Sequence, residues 1–544
     1  TLNLFTFEEP LSEANQTALE SVYVMCDVPD GRHGRLAYAA DSGALTYAVV
    51  DDADPLGAAD TVTWTGRGDW ATAANWSGGQ KPSATQKASF VANAADRAVS
   101  VSGVEPVGAI AFGATGFALG GTDGATVCLA AEQGAAEVTV AEGAEATVDV
   151  PLSAPLRTSV NLKTAAGAAL TLLKPMTAGA FAKSGTGRLE LAAANSFVQR
   201  VKTSGGVTRV AHARALDGAA DVQVVGDTLA LDAAGLDLPR LSIAAPREYV
   251  PVVLDVRQDA TVRRMDVTGG FEKRGAGTLT VDVRGAEGQM CLTTGVGKGE
   301  NRCPASYADT GFAPDGTPLG EDFATGLLVT EGELVLKGDG TSASTVQAKG
   351  QFTVGMNVTN MNVAAQPKLT LDGVWLDGTG GNGASSHSAV GWGLGRSQAS
   401  GQRTPSFELR NGARYRCNTL RLGLGTSNRR MGDHSRLTMT GSALIAGAVY
   451  FESEIAQNPS VVRCTNALVA TLSYPIYTAG AVDLVFSSSR VGAGAGSLQS
   501  PSLVNEIDPD PDAWDAGKYN FGPLGWNLHL PTGRVEFADG SLLR

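Results

Sequence analysis

The feature that most constrains this chain is a phrase it uses twice. "FAKSGTGRLEL" (residues 181–191) and "FEKRGAGTLTV" (271–281) share the frame Phe-x-Lys-x-Gly-x-Gly-x-Leu. Phe181 aligns with Phe271, Lys183 with Lys273, Gly185 and Gly187 with Gly275 and Gly277, and Leu189 with Leu279, always 90 positions apart. The first copy runs on into "KTSGGVTRVA"; the second resumes after a polar interruption with "ATGLLVTEGELVLKG". A second family repeats at 30 residues, where "FELRNGARYRCNTLRLG" (407–423) aligns with "LTMTGSALIAGAVYFES" (437–453). Each unit reads as strand, glycine-rich turn, strand, turn and strand. One such unit cannot bury its own apolar face, so copies must stack.

Stacked units of this kind pair their strands in parallel, and inward positions form continuous apolar columns. The expected fold is therefore all-β, a right-handed parallel β-helix of ~22 to 28 residues per coil, the hand following the general crossover preference. The expected inward positions are Phe181, Leu189, Leu191, Phe271, Leu279, Val281, Leu334, Leu336, Phe407, Leu409, Leu437 and Met439. Composition agrees: 68 of 544 residues are glycine without a Gly-X-Y period, and 43% are hydrophobic, too many for a disordered tract.

The longer frame of residues 179–211, F-x-K-x-G-x-G-x-L-x-L…N-S-F…V-x-x-S-G-G, resembles the autotransporter-associated β-strand repeat of secreted bacterial passenger domains. Residues 269–338 match it with an insertion, and "WTGRGDWATAANWSGGQKP" resembles the segment that introduces such arrays. The resemblance implies a β-helix and a place at the bacterial cell surface or outside the cell. It says little about activity. Passenger proteins of this type end in a membrane β-barrel, whereas "TGRVEFADGSLLR" carries none, and the chain reads as a piece of something larger.

Three regions are expected. Residues 1–55 read as a small α+β segment, or the end of a preceding module, with a short helix over 12–22 capped by Ser12. Residues 56–80 hold a linker and a tryptophan-rich N-terminal cap, and the β-helix fills 81–544 with insertions near 286–323, 376–404 and 497–524. Trp64, Trp70 and Trp76 allow two readings, a sugar-stacking platform or a plug over the open first coil; their position where the array begins favours the plug. Of the six cysteines, Cys291 and Cys303 are close enough in sequence to pair, and Cys417 and Cys464 could bridge neighbouring coils.

Net charge is −13, which disfavours nucleic acid, and no run of 18 apolar residues could span a membrane. Against that acidic background Arg396, Arg403, Arg410, Arg414, Arg416, Arg421, Arg429, Arg430 and Arg436 are crowded together. Alternation turns Phe407, Leu409, Tyr415, Cys417, Leu420 and Leu422 inward, and Arg410, Arg414, Arg416 and Arg421 outward. Those four are the candidate ligand-binding residues, a basic stripe suited to carboxylated or sulfated glycans. The competing reading is a solvated face neutralised by acids such as Glu408 and Asp433.

No catalytic residue, metal site or cofactor is assigned. The five histidines are scattered, and "DPDPDAWD" and "LDGTGGNG" read as loop chemistry rather than calcium repeats. The leading expectation is a non-enzymatic passenger or stalk segment that projects or adheres, with acidic glycans or another surface protein as partner. The alternative is a carbohydrate-active β-helix, a lyase or glycosidase acting on an acidic polysaccharide.

Overall fold

The computed structural model describes residues 2–6, 23–24, 32–39, 42–51, 61–129, 136–156, 158–244, 252–268, 271–284, 290–293, 325–349, 351–356, 366–378, 387–392, 404–423, 435–453, 459–472, 474, 476–493, 526–529 and 533–543. Contacts divide the chain into two units, Thr1–Asp232 and Ala233–Arg544.

In the first unit a small antiparallel sheet comes first. It orders Leu2–Thr6, Ala44–Asp51, Arg32–Ala39 and Tyr23–Val24 side by side. The helix expected over 12–22 lies outside the described residues. From Thr61 the described strands pair in parallel from coil to coil. Ala109–Phe112, Ala136–Val140, Ser159–Thr164, Ala180–Ser184 and Arg200–Ser204 succeed one another on one face. Phe117–Gly121, Glu145–Asp149, Ala169–Leu172 and Arg188–Leu191 do so on the next. Val104–Val107, Thr126–Leu129, Leu152–Ser153, Met176–Ala178 and Ser196–Phe197 form the third. Coil length varies along this unit: Ile110, Val138, Leu162, Lys183 and Thr203 stand in register at spacings of 28, 24, 21 and 20 residues, from the long end of the expected range to just below it.

The second unit repeats this plan with a ten-stranded parallel sheet from Leu236–Leu238 to Arg534–Ala538. Its register makes the core explicit. Leu279 faces Leu334, then Leu369, Phe407, Leu437, Val462 and Leu484 in successive coils. Val281, Leu336, Leu371, Leu409, Met439, Cys464 and Phe486 form the neighbouring column. All twelve expected inward residues are buried. The architecture is thus a parallel β-strand solenoid.

Two expectations need correction. Cys417 and Cys464 are both free and buried, not bridged. Cys417 belongs to Arg414–Leu422 and stands opposite Ala446, whereas Cys464 belongs to the ten-stranded sheet between Met439 and Phe486. The two thiols sit on different faces of the coils. The expected insertions are also not wholly loop: Met290–Thr293 and His387–Trp392 are strands paired into the coils on either side. Cys303 and residues 497–524 lie outside the described residues.

Candidate functional site

The tryptophans illustrate how local sequence builds a plug. Trp64, Trp70 and Trp76 are all buried, packed edge to face with centroids 5.1 and 4.9 Å apart. Trp70 and Trp76 each lie 5.8 Å from Phe90, which stacks on Phe112 at 5.3 Å, so the cluster leads straight into the coil's aromatic core. Asn75 ties the loop together by donating to the carbonyls of Arg67 (2.8 Å) and Asp69 (2.9 Å). The Trp76 indole donates to the Trp70 carbonyl at 2.7 Å. None of these rings offers a face to a sugar.

The four candidate arginines do not form one stripe. Arg410 ends the strand Ser406–Arg410 of the ten-stranded sheet, while the other three lie in Arg414–Leu422 of another sheet. Arg410 donates to Asp372 (3.0 Å) and sits beside Glu408 (3.4 Å). Burial works to lower its pKa, but the bond to Asp372 and the nearby carboxylates outweigh that and raise it. Lys368 bridges Glu333 (3.2 Å) and Glu408 (2.6 Å) alongside. Here the neutralised-face reading describes the geometry.

Arg416, expected outward, is only 8% exposed. The strand runs Tyr415, Arg416 and Cys417 buried in succession, so strict alternation fails there. Its register partner one coil earlier is Asp377; burial lowers the Arg416 pKa and Asp377 opposes the shift. Arg414 and Arg421 remain half-buried on the outer face. The Arg414 guanidinium lies 4.0 Å above the Trp375 ring, its register partner. The Arg421 guanidinium lies 4.2 Å above Tyr450, which stacks on Tyr477 at 4.6 Å and 7°. Successive coils thus place aromatic rings, not further arginines, next to Arg414 and Arg421. Arg396, Arg403, Arg429 and Arg430 lie outside the described residues.

A shallow groove of about 380 Å³ runs along the first unit, where Ser89, Ala111, Thr139, Lys163 and Ser184 form one outward column of five coils. Lys163 pairs with Glu137 there. Among the described residues no group of three His, Cys, Asp or Glu side chains could hold a metal ion, and no helix is long and apolar enough to cross a membrane. "DPDPDAWD" lies outside the described residues.

Sequence reasoning missed the buried ionisable groups. Lys183, Lys273 and Glu272 are fully buried and Asp227 nearly so. The recurrence of a lysine between phenylalanine and glycine in both copies was the available signal. Comparison with known proteins adds no relative: no family model, curated protein or solved structure matches the chain.

Proposed function

We propose that the chain is a non-enzymatic, extracellular β-helix segment of a bacterial surface or secreted protein, a passenger or stalk that projects and adheres, with acidic glycans as its contact. The observation that supports this most is the pair of ring-seated guanidinium groups, Arg414 on Trp375 and Arg421 on Tyr450. A guanidinium seated on a ring is held in one orientation, and its planar fork suits carboxylate and sulfate. Arg410 and Arg416 contribute to the coil rather than the contact, because Asp372, Glu408 and Asp377 already occupy their surroundings.

The test is binding of sulfated, uronic and neutral polysaccharides to the full chain and to the double variant Arg414→Ser, Arg421→Ser. Preference for the anionic polymers, lost in the double variant, is expected. Equal binding of neutral polymers would remove the reading. Reproducible cleavage of an acidic polymer would replace it with the carbohydrate-active alternative.

A further inference from the structure

The two lysines of the repeated frame occupy inward, apolar columns. Lys183 stands between Leu162 of the preceding coil and Thr203 of the next; Lys273 stands between Leu254 and Val329. Both are 0% exposed. An ammonium group out of water is costly unless other polar atoms replace its hydration. Backbone carbonyls do so here. Lys183 Nζ donates to Gly185 (2.9 Å) and to Gly205. Lys273 Nζ donates to Gly275 (2.6 Å), Gly277 (2.5 Å) and Glu331 (2.8 Å).

In both copies the acceptors come from the turn after the lysine's own strand and from the matching turn of the next coil. The hydroxyls match in position: Ser204 donates to the Lys183 carbonyl, and the Thr330 hydroxyl, its one proton shared with Glu272, lies equally far from the Lys273 carbonyl, each at 3.2 Å. The turn requires glycine. Gly185 and Gly275 have φ of +85° and +78°, and a Cβ there would lie 2.2 Å from the Thr164 oxygen or 2.4 Å from the Val256 oxygen.

The copies differ in what surrounds the lysine. Ala180–Ser184 pairs with Arg200–Ser204, 20 positions on, whereas Phe271–Arg274 pairs with Thr325–Val329, 56 positions on. Joining distant segments carries a larger closure entropy. At this second junction Glu272, fully buried, accepts from Thr330 (2.8 Å) and is gripped by both arms of Arg274 (2.6 and 2.7 Å). The Glu331 carboxylate accepts from the Gly275 N–H at 3.2 Å. In the first copy the position of Glu331 is Gly205, which has no side chain to offer.

We propose that the frame's lysine is a staple locking each coil to the next through their turn carbonyls, and that Glu272, Thr330 and Glu331 reinforce it at the junction whose paired strands lie farther apart in sequence. Asp227, 4.0 Å from Lys183 Nζ, extends the first staple to the coil after next. The charged groups facing Lys273 are Glu331, Asp255, Asp259 and Glu333.

The test is amide hydrogen exchange on the full chain and on Lys273→Met and Lys183→Met, which keep side-chain length but lose the ammonium. Lys273→Met should speed exchange of Phe271–Arg274 and Thr325–Val329 on the order of tenfold and leave Ala180–Ser184 and Arg200–Ser204 unchanged; Lys183→Met should do the reverse. With intrinsic rates corrected, protection at the second junction should rise from pH 8 to 10 in the unaltered chain, because the neutral amine still donates N–H bonds to the carbonyls without the cost of a buried charge, and stay flat in Lys273→Met. Parent-like exchange in both variants, or loss spread evenly over the chain, overturns the proposal. Should a variant fail to fold, lysine-selective ¹⁵N NMR of the unaltered chain decides. Hydrogen-bonded Nζ signals shielded from solvent exchange are expected, and uniformly fast-exchanging signals overturn it.

Discussion

Leu279 sits in a column between Ala260 and Leu334 with no exposed surface. Leu279→Asp places an uncompensated charge there, costing on the order of 3–5 kcal/mol, and should lower the urea midpoint sharply. Lys273 makes a different prediction. Burial pulls its pKa from 10.5 down to about 8, with Glu331 and other carboxylates opposing the shift. Between those values the unfolded chain holds a proton that the folded chain has released. Stability should therefore rise with pH across that window and level off above it, and urea titrations at stepped pH should show the rise. The thiols give a third outcome. Burial pushes Cys417 up to about 12 and raises Cys464 further, so neither should react with a thiol reagent until the chain unfolds. Inwardness of Leu279 was readable from the repeat; the fate of Cys464 was not. A small apolar thiol suits a core column as well as a bridge, and only the register, with Met439 and Phe486 as neighbours, separates the two.

At the scale of elements, the plug and the aromatic stacks carry the consequences. Removing Trp70 takes a ring from the cluster that feeds into Phe90, so Trp70→Ala should cost about 3–5 kcal/mol and leave glycan binding untouched at temperatures where the chain stays folded. Tyr450→Ala removes the seat of Arg421 and one face of Tyr477. It should cost about 0.5–1.5 kcal/mol beyond the lost burial and weaken anionic-glycan binding, measured by calorimetry. Strand alternation located most inward residues because the side-chain period of a strand is two. It failed at Arg416, where Tyr415, Arg416 and Cys417 are buried consecutively within one long strand. The pairing of Trp375 with Arg414 was equally hidden, since 39 positions of sequence separate them and only the coil length brings them into register.

Across the molecule, charge is managed coil by coil. Arg209 bridges Glu190 and Asp232, Arg263 meets Asp237, and Lys368 spans Glu333 and Glu408, so the outer faces are laced with opposite charges. Such half-exposed pairs contribute about 0–1 kcal/mol each, and added salt should change the melting temperature little. The proposed binding of acidic glycans, set on a few arginines of a chain of net charge −13, should fall steeply over the same salt range. The sequence by itself determined the solenoid, because a repeated apolar alternation with glycine turns has no way to bury its face except by stacking. It determined the inward columns for the same reason. Which outward charges are spent on neighbours, and why a lysine stands among the core residues, depended on the tertiary structure. Those answers lie in contacts between coils, whose partners are set by how much chain each coil consumes.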